Sequence, residues 1–337
     1  MAVTTSPYAS DALPEGSVDV VVIGGGAAGL NGALMLARSR RSVVVIDSGS
    51  PRNAPAEAMH GFIVLDGTPP PEILRRGREQ VRQYGGCVVF GEVASSESAA
   101  PATDGDLRFT VTLADGRSVS ARRVLVATGL KDVLPEVPGL AEHWGRGVVH
   151  CPYCHGWEVR DEPIGILATG PASIGHAFLF RQLTEDLTFF AQGTDLDEST
   201  RARFAARGIR IVDTPVQEVV NNEDGTVAGV RLADGQIVAR SVLAVATRME
   251  ARTEGLDGLK LPMQYLPDNM GRGFACGMAG TTEVPGVWVA GNATDLAAQV
   301  GASAAAGALA GAHINSVLAT ADTDAALAAA QGETPAL

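Results

Sequence analysis

The sequence is poor in aromatic residues and in cysteine. Aromatic residues make up 5% of its 337 positions, and only 4 residues are cysteine. So few cysteines in a chain of this length exclude a disulfide-stapled scaffold and indicate a reducing compartment. The chain also lacks a positively charged start followed by an apolar run, which is the pattern of a secretion signal. We therefore expect a cytoplasmic protein.

An excess of positive charge is absent too. The formal net charge is -12, which repels phosphate backbones and anionic lipids, so nucleic acids and membrane surfaces are not expected partners. The most apolar long stretch, Gly301 to Ala312, consists mostly of alanine and glycine. These residues gain too little from transfer into hydrocarbon for a membrane span. The stretch is predicted to be a helix packed closely against a neighbour.

Glycine and apolar residues are plentiful. The 40 glycines and the hydrophobic content of 46% suit an α/β protein with many tight turns between strands and helices. The chain is too long for one ordinary hydrophobic core, so two compact domains are expected.

The first strong motif is a predicted buried strand, Val18 to Ile23, that runs directly into a glycine-rich turn and a helix. Gly24 would make the tight turn, Gly26 would let the backbone approach a pyrophosphate, and Gly29 would let the helix pack against the strand. The next predicted strand ends at Asp47, at the usual distance for an acceptor of a ribose hydroxyl. The helix N-terminus offers N–H groups to phosphates. The pattern predicts a dinucleotide site, and the alternative is a glycine-rich turn without a ligand.

The second motif is a pair of cysteines, Cys151 and Cys154, separated by proline and tyrosine. This spacing allows a strained and readily exchanged disulfide. A zinc site would need two further ligands at similar spacing, and two inert packed thiols are the remaining alternative. Cys87 and Cys276 stand alone in the sequence, which disfavours zinc. We interpret the pair as a redox centre.

The strand–turn–helix–strand pattern recurs after the cysteine pair. Predicted strands at Pro163 to Leu167 and Leu187 to Phe190 repeat the early plan, but Ala168 stands at the position of the first fingerprint glycine. A later strand that ends at Thr247 mirrors the strand that ends at Gly129. A chain that leaves the first domain at Gly129 and returns near Thr247 makes the second domain an insertion.

The whole pattern resembles the low-molecular-weight thioredoxin reductases, from Val18 to about Leu318. The features that carry the resemblance are the glycine fingerprint, the strand ending Ala127-Thr128-Gly129, the cysteine pair, and Pro285-Gly286-Val287-Trp288-Val289-Ala290-Gly291-Asn292. The resemblance implies an α/β fold of two Rossmann-like, three-layer nucleotide-binding domains, the second inserted in the first, with bound FAD and a homodimer. The FAD domain would comprise residues 17–129 and 248–320, and the inserted NAD(P)-type domain residues 130–247. Residues 1–16 and 321–337 would be flexible termini.

Within that superfamily, the longer string around the cysteines resembles the dithiol oxidases that close the disulfides of gliotoxin and holomycin-type natural products. This string is Cys151-Pro152-Tyr153-Cys154-His155-Gly156-Trp157-Glu158. The reductases carry an acidic residue at the position of His155. Their second glycine fingerprint and their cationic cluster for the NADPH 2′-phosphate fall on Ala168-Thr169-Gly170 and Ala191-Gln192-Gly193. Losing two arginine contacts of about 1.5–3 kcal/mol each weakens NADPH binding by about two to four decades.

The resemblance therefore implies FAD-dependent oxidation of a small-molecule dithiol to an intramolecular disulfide, with O₂ reduced to H₂O₂. The reaction would serve the biosynthesis of, or resistance to, a disulfide natural product such as a dithiolopyrrolone. Cys154 would lie nearer the flavin, and a substrate thiolate would attack Cys151. His155 is the expected base, because an imidazole titrates near neutral pH, and His150 is its rival.

The fingerprint and the resemblance assign further residues to FAD. They are Ala27, Ala28, Thr128, Gly129, Gly291, Asn292, Gln299 and Val300. Asn292 replaces an aspartate that binds the ribityl chain in the reductases, and it keeps the capacity to hydrogen bond. The last helix, expected from about Leu296 to Leu318, would direct its N-terminal dipole at the flavin and favour the anionic reduced form. His60, Tyr153 and Trp157 have two interpretations each, as walls of the flavin or substrate pocket or as structural residues.

Two other functions stay open at this point. One is a disulfide reductase of the same fold that draws electrons from NADPH through an altered site, or from a ferredoxin. An acidic ferredoxin is disfavoured by the net charge of -12. The other is a flavoprotein without catalytic activity that senses redox state or binds a partner, which the intact cysteine pair disfavours.

Overall fold

The computed structural model describes residues 11–99 and 106–332. In this part of the chain the strands are β1 Ser17–Ile23, β2 Val43–Asp47, β3 Cys87–Phe90, β4 Val93–Ala99, β5 Arg108–Leu113, β6 Ser118–Val126, β7 Leu130–Val133, β8 Val148–Val149, β9 Ile164–Leu167, β10 Leu187–Phe190, β11 Arg210–Val212, β12 Val216–Asn221, β13 Val227–Leu232, β14 Ile237–Ala239, β15 Val242–Val245, β16 Arg248–Ala251, β17 Met263–Tyr265, β18 Gly271–Phe274 and β19 Val287–Val289. The α-helices are α1 Ala27–Arg38, α2 Pro70–Gln83, α3 Pro152–His155, α4 Ala172–Phe180, α5 Glu198–Ala206 and α6 Val300–Gln331. Short 3-10 turns cover Ala141–His143, Asp257–Leu259, Pro267–Asn269, Met278–Gly280 and Gly291–Ala293.

The first sheet has seven strands in the order β3-β2-β1-β6-β5-β4, with β19 also paired to β6. Strands β1, β2, β3, β6 and β19 are parallel to one another, and β4 and β5 run antiparallel at one edge. The central strand β1 is a run of β-branched residues buried on both faces. This is the composition that a parallel sheet covered on both sides requires.

The second sheet has five parallel strands in the order β11-β10-β9-β15-β8. All of them lie in the chain between β6 and β19 of the first sheet, so the second sheet is an insertion in the first unit. The predicted fold class, two nucleotide-binding folds with the second inserted, is confirmed.

The chain crosses between the two sheets at β7 and again at β16, and these strands pair antiparallel within a small sheet ordered β17-β18-β16-β7. We propose the domain boundaries at Gly129 and Thr247 that the sequence predicts, because both crossings lie side by side at these strands.

Apolar cores lie on both faces of each large sheet. The first sheet packs against α1 and α6 through Leu36 and Ile314. The second packs against α4 and α5 through Phe180 and Phe204. On its other face, the second sheet meets the three-stranded antiparallel sheet of β12, β13 and β14 through residues such as Val230. The resulting three-layer arrangement places the carboxyl ends of the parallel strands at one edge, where ligands bind in open α/β sheets.

Helix α6 is the longest helix among the described residues. Its most apolar window, with a mean hydropathy of 1.2, meets the length and composition criterion for a membrane-crossing helix. In the structure it packs along α1, and a Cβ at Gly307 or Gly311 would overlap the backbone of Ala28 or Gly32. The prediction that Gly301 to Ala312 forms a closely packed helix is confirmed.

Two sequence predictions about the chain ends are wrong. The last helix continues to Gln331 rather than ending near Leu318, so residues 321–331 are helical and not a loose tail. At the other end, Asp11 forms hydrogen bonds with Arg82 and the backbone of Val88, and Leu13 packs against the core. The predicted leader is therefore docked at Asp11 to Leu13. Its first ten positions, 1–10, and residues 333–337 lie outside the described residues.

Replacement of Gly307 by alanine should destabilise the protein, because its methyl group would overlap the Ala28 carbonyl oxygen. Overpacking of this kind costs about 1–3 kcal/mol. Urea unfolding of the purified variant measures the loss. Gly175→Ala is the matched control, since a Cβ there meets nothing within 4 Å and alanine improves helix propensity. Equal stability of the two variants would contradict the close α1–α6 contact.

Candidate active site

A cavity of about 910 Å³ joins the glycine turn after β1 to the cysteine pair. Every residue predicted to be catalytic lines it, namely His150, Cys151, Cys154 and His155. The predicted cofactor residues that line it are Gly24, Gly26, Ala27, Ala28, Asp47, Thr128, Gly129, Asn292, Gln299 and Val300. Gly29 and Gly291 pack behind its wall, against Gly24 and Ala28. The fold thus brings residues far apart in sequence to one cavity.

The glycine turn has the geometry that a dinucleotide fingerprint requires. Gly24 has a φ of 105°, and a Cβ there would overlap the Ala127 carbonyl oxygen. A Cβ on Gly29 would overlap the Gly24 carbonyl oxygen, so this glycine permits the contact between turn and helix. A Cβ on Gly26 would meet nothing within 4 Å, because this residue faces the open cavity. No side chain of the described chain caps the first turn of α1, which leaves its N–H groups directed at the cavity.

Asp47 ends β2 beside this turn and is buried. Its carboxylate accepts a hydrogen bond from the N–H of Gly49 and lies 3.7 Å from the Arg78 guanidinium. A Cβ on Gly25 would lie 2.5 Å from its Oδ2 atom. A side chain at position 25 would therefore clash with Asp47, so glycine is needed there. The sequence pattern did not reveal this role.

The far side of the cavity is formed by the turn before α6. The amide Nδ2 of Asn292 donates to the carbonyl oxygens of Asp295, Leu296 and Ala298, at 3.0, 3.3 and 2.7 Å. Asn292 thereby holds the loop that leads into the helix. Gln299 is the N-cap residue of α6 but its side chain does not cap the helix. Instead its Nε2 atom lies 4.0 Å from the Sγ of Cys151.

Cys151 and Cys154 form a disulfide, with their Cα atoms 5.2 Å apart. Cys151 is the N-cap of α3, whose first residue is proline, a residue preorganised for the first position of a helix. Gly156 follows the helix, and a Cβ there would overlap the Pro152 carbonyl oxygen and the side chain of Leu183. The redox pair is therefore held on a short turn that packs against Leu183.

His155 is the last residue of α3. Both of its ring nitrogens are shielded from solvent and have no hydrogen-bond partner among the described residues. Burial lowers the pKa of His155 below its usual range, although the charge of Glu158 opposes this change. The imidazole is therefore neutral at neutral pH and can accept a proton.

His150 directly precedes the redox pair, and a backbone contact fixes its imidazole ring. Its Nδ1 atom lies 3.0 Å from the Val245 carbonyl oxygen. Because a carbonyl oxygen only accepts, we assign the proton to Nδ1, which leaves the lone pair on Nε2. The N–H of Thr247 lies farther from Nδ1, at 3.3 Å. Burial lowers the pKa of His150, so this imidazole is also neutral.

A third histidine, His176, lines the same cavity and was not predicted. It lies on α4, is buried, and donates from Nε2 to the backbone oxygen of His150 at 2.5 Å. Its ring lies 5.8 Å from that of His150 and stacks edge-on against Phe180. Burial lowers the pKa of His176 to about 4. Helical spacing on an apolar helix gives no signal that separates such a residue from core histidines, so only the tertiary contact identifies it.

The exposure and contacts of His60, Tyr153 and Trp157 decide between the two interpretations of each residue. His60 lines the cavity and lies 3.4 Å from Glu158, which ties the loop after β2 to the redox segment. Tyr153 and Trp157 are 66% and 67% exposed, so the interpretation of either residue as core is wrong. Tyr153 lines the cavity, whereas the Trp157 ring stacks under the Arg160 guanidinium.

The second glycine turn, after β9, forms hydrogen bonds with its own side chains. Ser173 is fully buried, and its hydroxyl accepts a hydrogen bond from the Thr169 N–H at 3.0 Å. Pro171 has no N–H to offer. After β10, the Gln192 side chain is engaged by the N–H of Val216 at 2.8 Å. The Thr169 N–H and the Gln192 side-chain oxygen, two groups beside the second turn, are thus engaged within the fold.

Comparison with known proteins shows which family has this architecture. Residues 18–312 match the family described as pyridine nucleotide-disulphide oxidoreductase. The chain belongs to this family. The thioredoxin reductase tcpT of Claviceps purpurea (strain 20.1) is 35% identical over 253 residues, 72% of this chain and 77% of the relative.

Solved structures of this family superpose over nearly the whole chain. The crystal structure of HlmI shares 43% sequence identity, with a TM-score of 0.87, and the match covers 95% of this chain and 98% of that chain. An oxidoreductase from Agrobacterium tumefaciens shares 33% identity with a TM-score of 0.82, over 90% and 99% of the two chains. The predicted resemblance to thioredoxin reductases is confirmed.

The proteins of this pyridine nucleotide-disulphide oxidoreductase family are flavoproteins. The open N-terminus of α1 and the space beside Gly26 fit the pyrophosphate of a dinucleotide. A second open position is Gly129, where a Cβ would meet nothing within 4 Å. The cavity volume of about 910 Å³ lies at the upper end of the range of about 300–1,000 Å³ for ligand sites. In residues 11–99 and 106–332, no group of three or more His, Cys, Asp or Glu side chains could hold a metal ion.

Proposed function

We propose that the protein oxidises a small-molecule dithiol to an intramolecular disulfide, with FAD as cofactor and O₂ as final acceptor. The observation that carries this proposal is the Cys151–Cys154 disulfide in a cavity that it shares with two neutral histidines and an uncapped dinucleotide turn. A disulfide exposed to a cavity of this kind is an acceptor for electrons from thiols. The proposed setting is the formation of, or protection against, a disulfide natural product.

The chemistry is a double thiol–disulfide exchange. One substrate thiol loses its proton, and the thiolate attacks the Sγ of Cys151, which breaks the bond to Cys154. The second substrate thiol loses its proton and attacks the substrate sulfur of the mixed disulfide. A cyclic disulfide leaves, and both cysteines are left as thiols, so two protons and two electrons have moved from substrate to protein.

The two histidines are proposed to carry these protons. Neither ring nitrogen of His155 has a hydrogen-bond partner in the part of the chain that the structure describes, so it can accept from a thiol in more than one position. His150 has a single free nitrogen, Nε2, because Nδ1 faces the Val245 carbonyl. Each imidazole can return its proton to a cysteine thiolate, as a general base that later acts as an acid. Two bases suit a reaction in which two thiols are deprotonated.

Bound FAD would supply the acceptance of two electrons from the cysteine pair and their transfer to O₂ with formation of H₂O₂. The residues proposed to hold it are the glycine turn with Asp47, Thr128 with Gly129, and the α6 start with Asn292, Gln299 and Val300. We also propose a homodimer, as the resemblance implies.

The second nucleotide turn supports this direction of electron flow. Its Thr169 N–H is bound by Ser173, and Gln192, which lies where the reductases carry their cationic cluster for the 2′-phosphate, brings no charge. Electrons therefore enter through substrate thiols rather than through NADPH. The names of relatives such as thioredoxin reductase tcpT favour a second candidate function, an NADPH-dependent disulfide reductase.

Anaerobic mixing separates the two functions. A small dithiol should bleach the yellow protein, whereas NADPH should leave its spectrum unchanged, because Ala191-Gln192-Gly193 offers no cation to the 2′-phosphate. Readmission of O₂ should restore the colour and release one H₂O₂ per dithiol, measured with a peroxidase-coupled assay. A monothiol at the same thiol concentration is the control, since it cannot resolve the mixed disulfide internally. Rapid bleaching by NADPH would establish the reductase and overturn the oxidase.

A further inference from the structure

A buried chain of hydrogen bonds runs from the ring of His150 into the junction between the two sheets. The Thr247 hydroxyl donates to Oδ1 of Asp132 at 2.6 Å. The same hydroxyl oxygen lies 3.4 Å from Nδ1 of His150. With its own hydrogen directed at the carboxylate, the Thr247 oxygen presents a lone pair to the Nδ1–H of His150, as a second and longer acceptor beside the Val245 carbonyl oxygen at 3.0 Å. Asp132, Thr247 and His150 thus form a carboxylate–hydroxyl–imidazole series.

The carboxylate at the end of this series is ionised and fixed. The Asp132 side chain is 5% exposed, and Arg52 donates to its two oxygens from Nε and Nη2, both at 2.7 Å. Burial raises the pKa of Asp132, but the bonds from Arg52 and Thr247 outweigh it and hold the pKa below the usual range. A fixed negative charge in a buried position acts on its neighbours more strongly than one in water.

The series has a defined place in the fold. Asp132 lies on β7, and Thr247 directly precedes β16. These are the two crossings between the first sheet and the inserted unit. The cysteine pair follows His150 directly in sequence. The residue next to the redox centre is therefore anchored at the junction of both nucleotide-binding folds, in addition to the backbone contact from His176.

We propose that Thr247 and Asp132 are positioning residues that hold His150 with Nε2 free to accept a proton and that stabilise its imidazolium form. The proposal rests on the proposed function to the extent that His150 receives a substrate proton. The third group that orients a base is a recurring part of sites with an activated nucleophile. The other titratable or charged groups that face His150 are Arg52, His155 and His176.

Thr247→Val tests the proposal, because valine matches the shape of threonine and removes only the hydroxyl. Thr247→Ser is the matched control, since it keeps the hydroxyl. We expect Thr247→Val to slow dithiothreitol-driven bleaching of the yellow protein about tenfold at neutral pH, within the range by which a positioned proton acceptor contributes, with little change in KM. Loss of a hydroxyl oxygen that accepts from the Nδ1–H removes a contact that favours the imidazolium, so the pKa of His150, already lowered by burial, should fall further. In the pH profile of kcat/KM, the acid limb should then move to lower pH, because His150 stays deprotonated to a lower pH.

The outcomes are distinct. The proposal is supported if Thr247→Val bleaches slowly and its kcat/KM profile has a shifted acid limb, while Thr247→Ser behaves like the unmodified protein. An unchanged Thr247→Val overturns it, as does a Thr247→Ser that is equally slow, which would assign the effect to packing. NMR titration of His150 in both variants reports its pKa without turnover. If no dithiol drives O₂ consumption by the unmodified protein, the proposed function fails, whereas an unmoved His150 titration in Thr247→Val removes the positioning role alone.

Discussion

Cys154→Ser should abolish dithiol-driven O₂ consumption, with a loss of at least about 10³-fold, as expected when the reacting group itself is removed. Serine keeps the size of the side chain but cannot form the disulfide that accepts substrate electrons. The fold should persist, because Cys154 lies on a short turn and is only partly buried. Oxygen uptake and peroxide release with a small dithiol measure the loss.

The same variant tests which sulfur the substrate attacks. Cys151 stays free in Cys154→Ser, so incubation with the linear disulfide of a monothiol should give a mixed disulfide on Cys151, detected by mass spectrometry, because the adduct carries no tethered second thiol that could release it. Cys151→Ser should lose activity equally and form no such adduct if Cys154 is shielded by the cofactor. Cys276→Ser is the control, because Cys276 is an exposed free cysteine away from the cavity, and it should retain full activity. Turnover by Cys154→Ser would place the chemistry at another group.

The parts of the site that sequence reasoning predicted are those with local rules. Gly24, Gly26 and Gly29 follow from the contacts that a strand–turn–helix unit must make, and the structure shows each close approach or open space expected of them. The cysteine pair follows from the reach of a disulfide across two residues. The inserted second fold follows from the recurrence of the same strand pattern. Each of these features is determined within a few tens of residues.

The residues that sequence reasoning missed depend on contacts between distant segments. His176 and His150 are 26 positions apart, and Asp132 and Thr247 are 115 apart. No periodicity relates such pairs, because the sheet order that brings them together is set by the whole fold. Gly25 was missed for a related reason, since its need arises from the Asp47 side chain on the next strand. The hydrogen bond from the Thr169 N–H to Ser173 in the second turn also required the structure, although the missing glycine at Ala168 gave a signal.

The helix ends show a different limit. The alanine-rich sequence after Thr320 has high helix propensity, but it has few large apolar side chains that indicate a packed face, so it was predicted to be loose. Arg41 and Arg122 both bond to Asp322, and these contacts connect the extended part of α6 to the first sheet. Ion pairs between distant residues stabilise this extension, and a propensity pattern alone does not reveal them.

Gly26→Ala should separate cofactor binding from folding. The backbone of Gly26 has a φ of -78° and a ψ of -170°, which alanine adopts without strain, and its Cβ would meet no protein atom within 4 Å. The loss of the preferred N-cap glycine should cost the apoprotein less than about 1 kcal/mol. In the holoprotein the methyl group would occupy the space that the pyrophosphate needs. Overpacking of about 1–3 kcal/mol, at 1.4 kcal/mol per decade, predicts a rise in the Kd for FAD of up to about 100-fold.

Fluorescence titration of the apoprotein with FAD, beside urea unfolding of the apoprotein, measures both quantities on one sample. Gly175→Ala adds the same methyl group at an exposed helical position with open space, so its FAD affinity should equal that of the unmodified protein. Gly29→Ala should lose both stability and affinity, because its Cβ overlaps the Gly24 carbonyl oxygen inside the turn. A Gly26→Ala protein that binds FAD normally would show that the pyrophosphate does not approach this turn. The dinucleotide would then have to enter the cavity from the side of Asn292 and Gln299, next to Cys151.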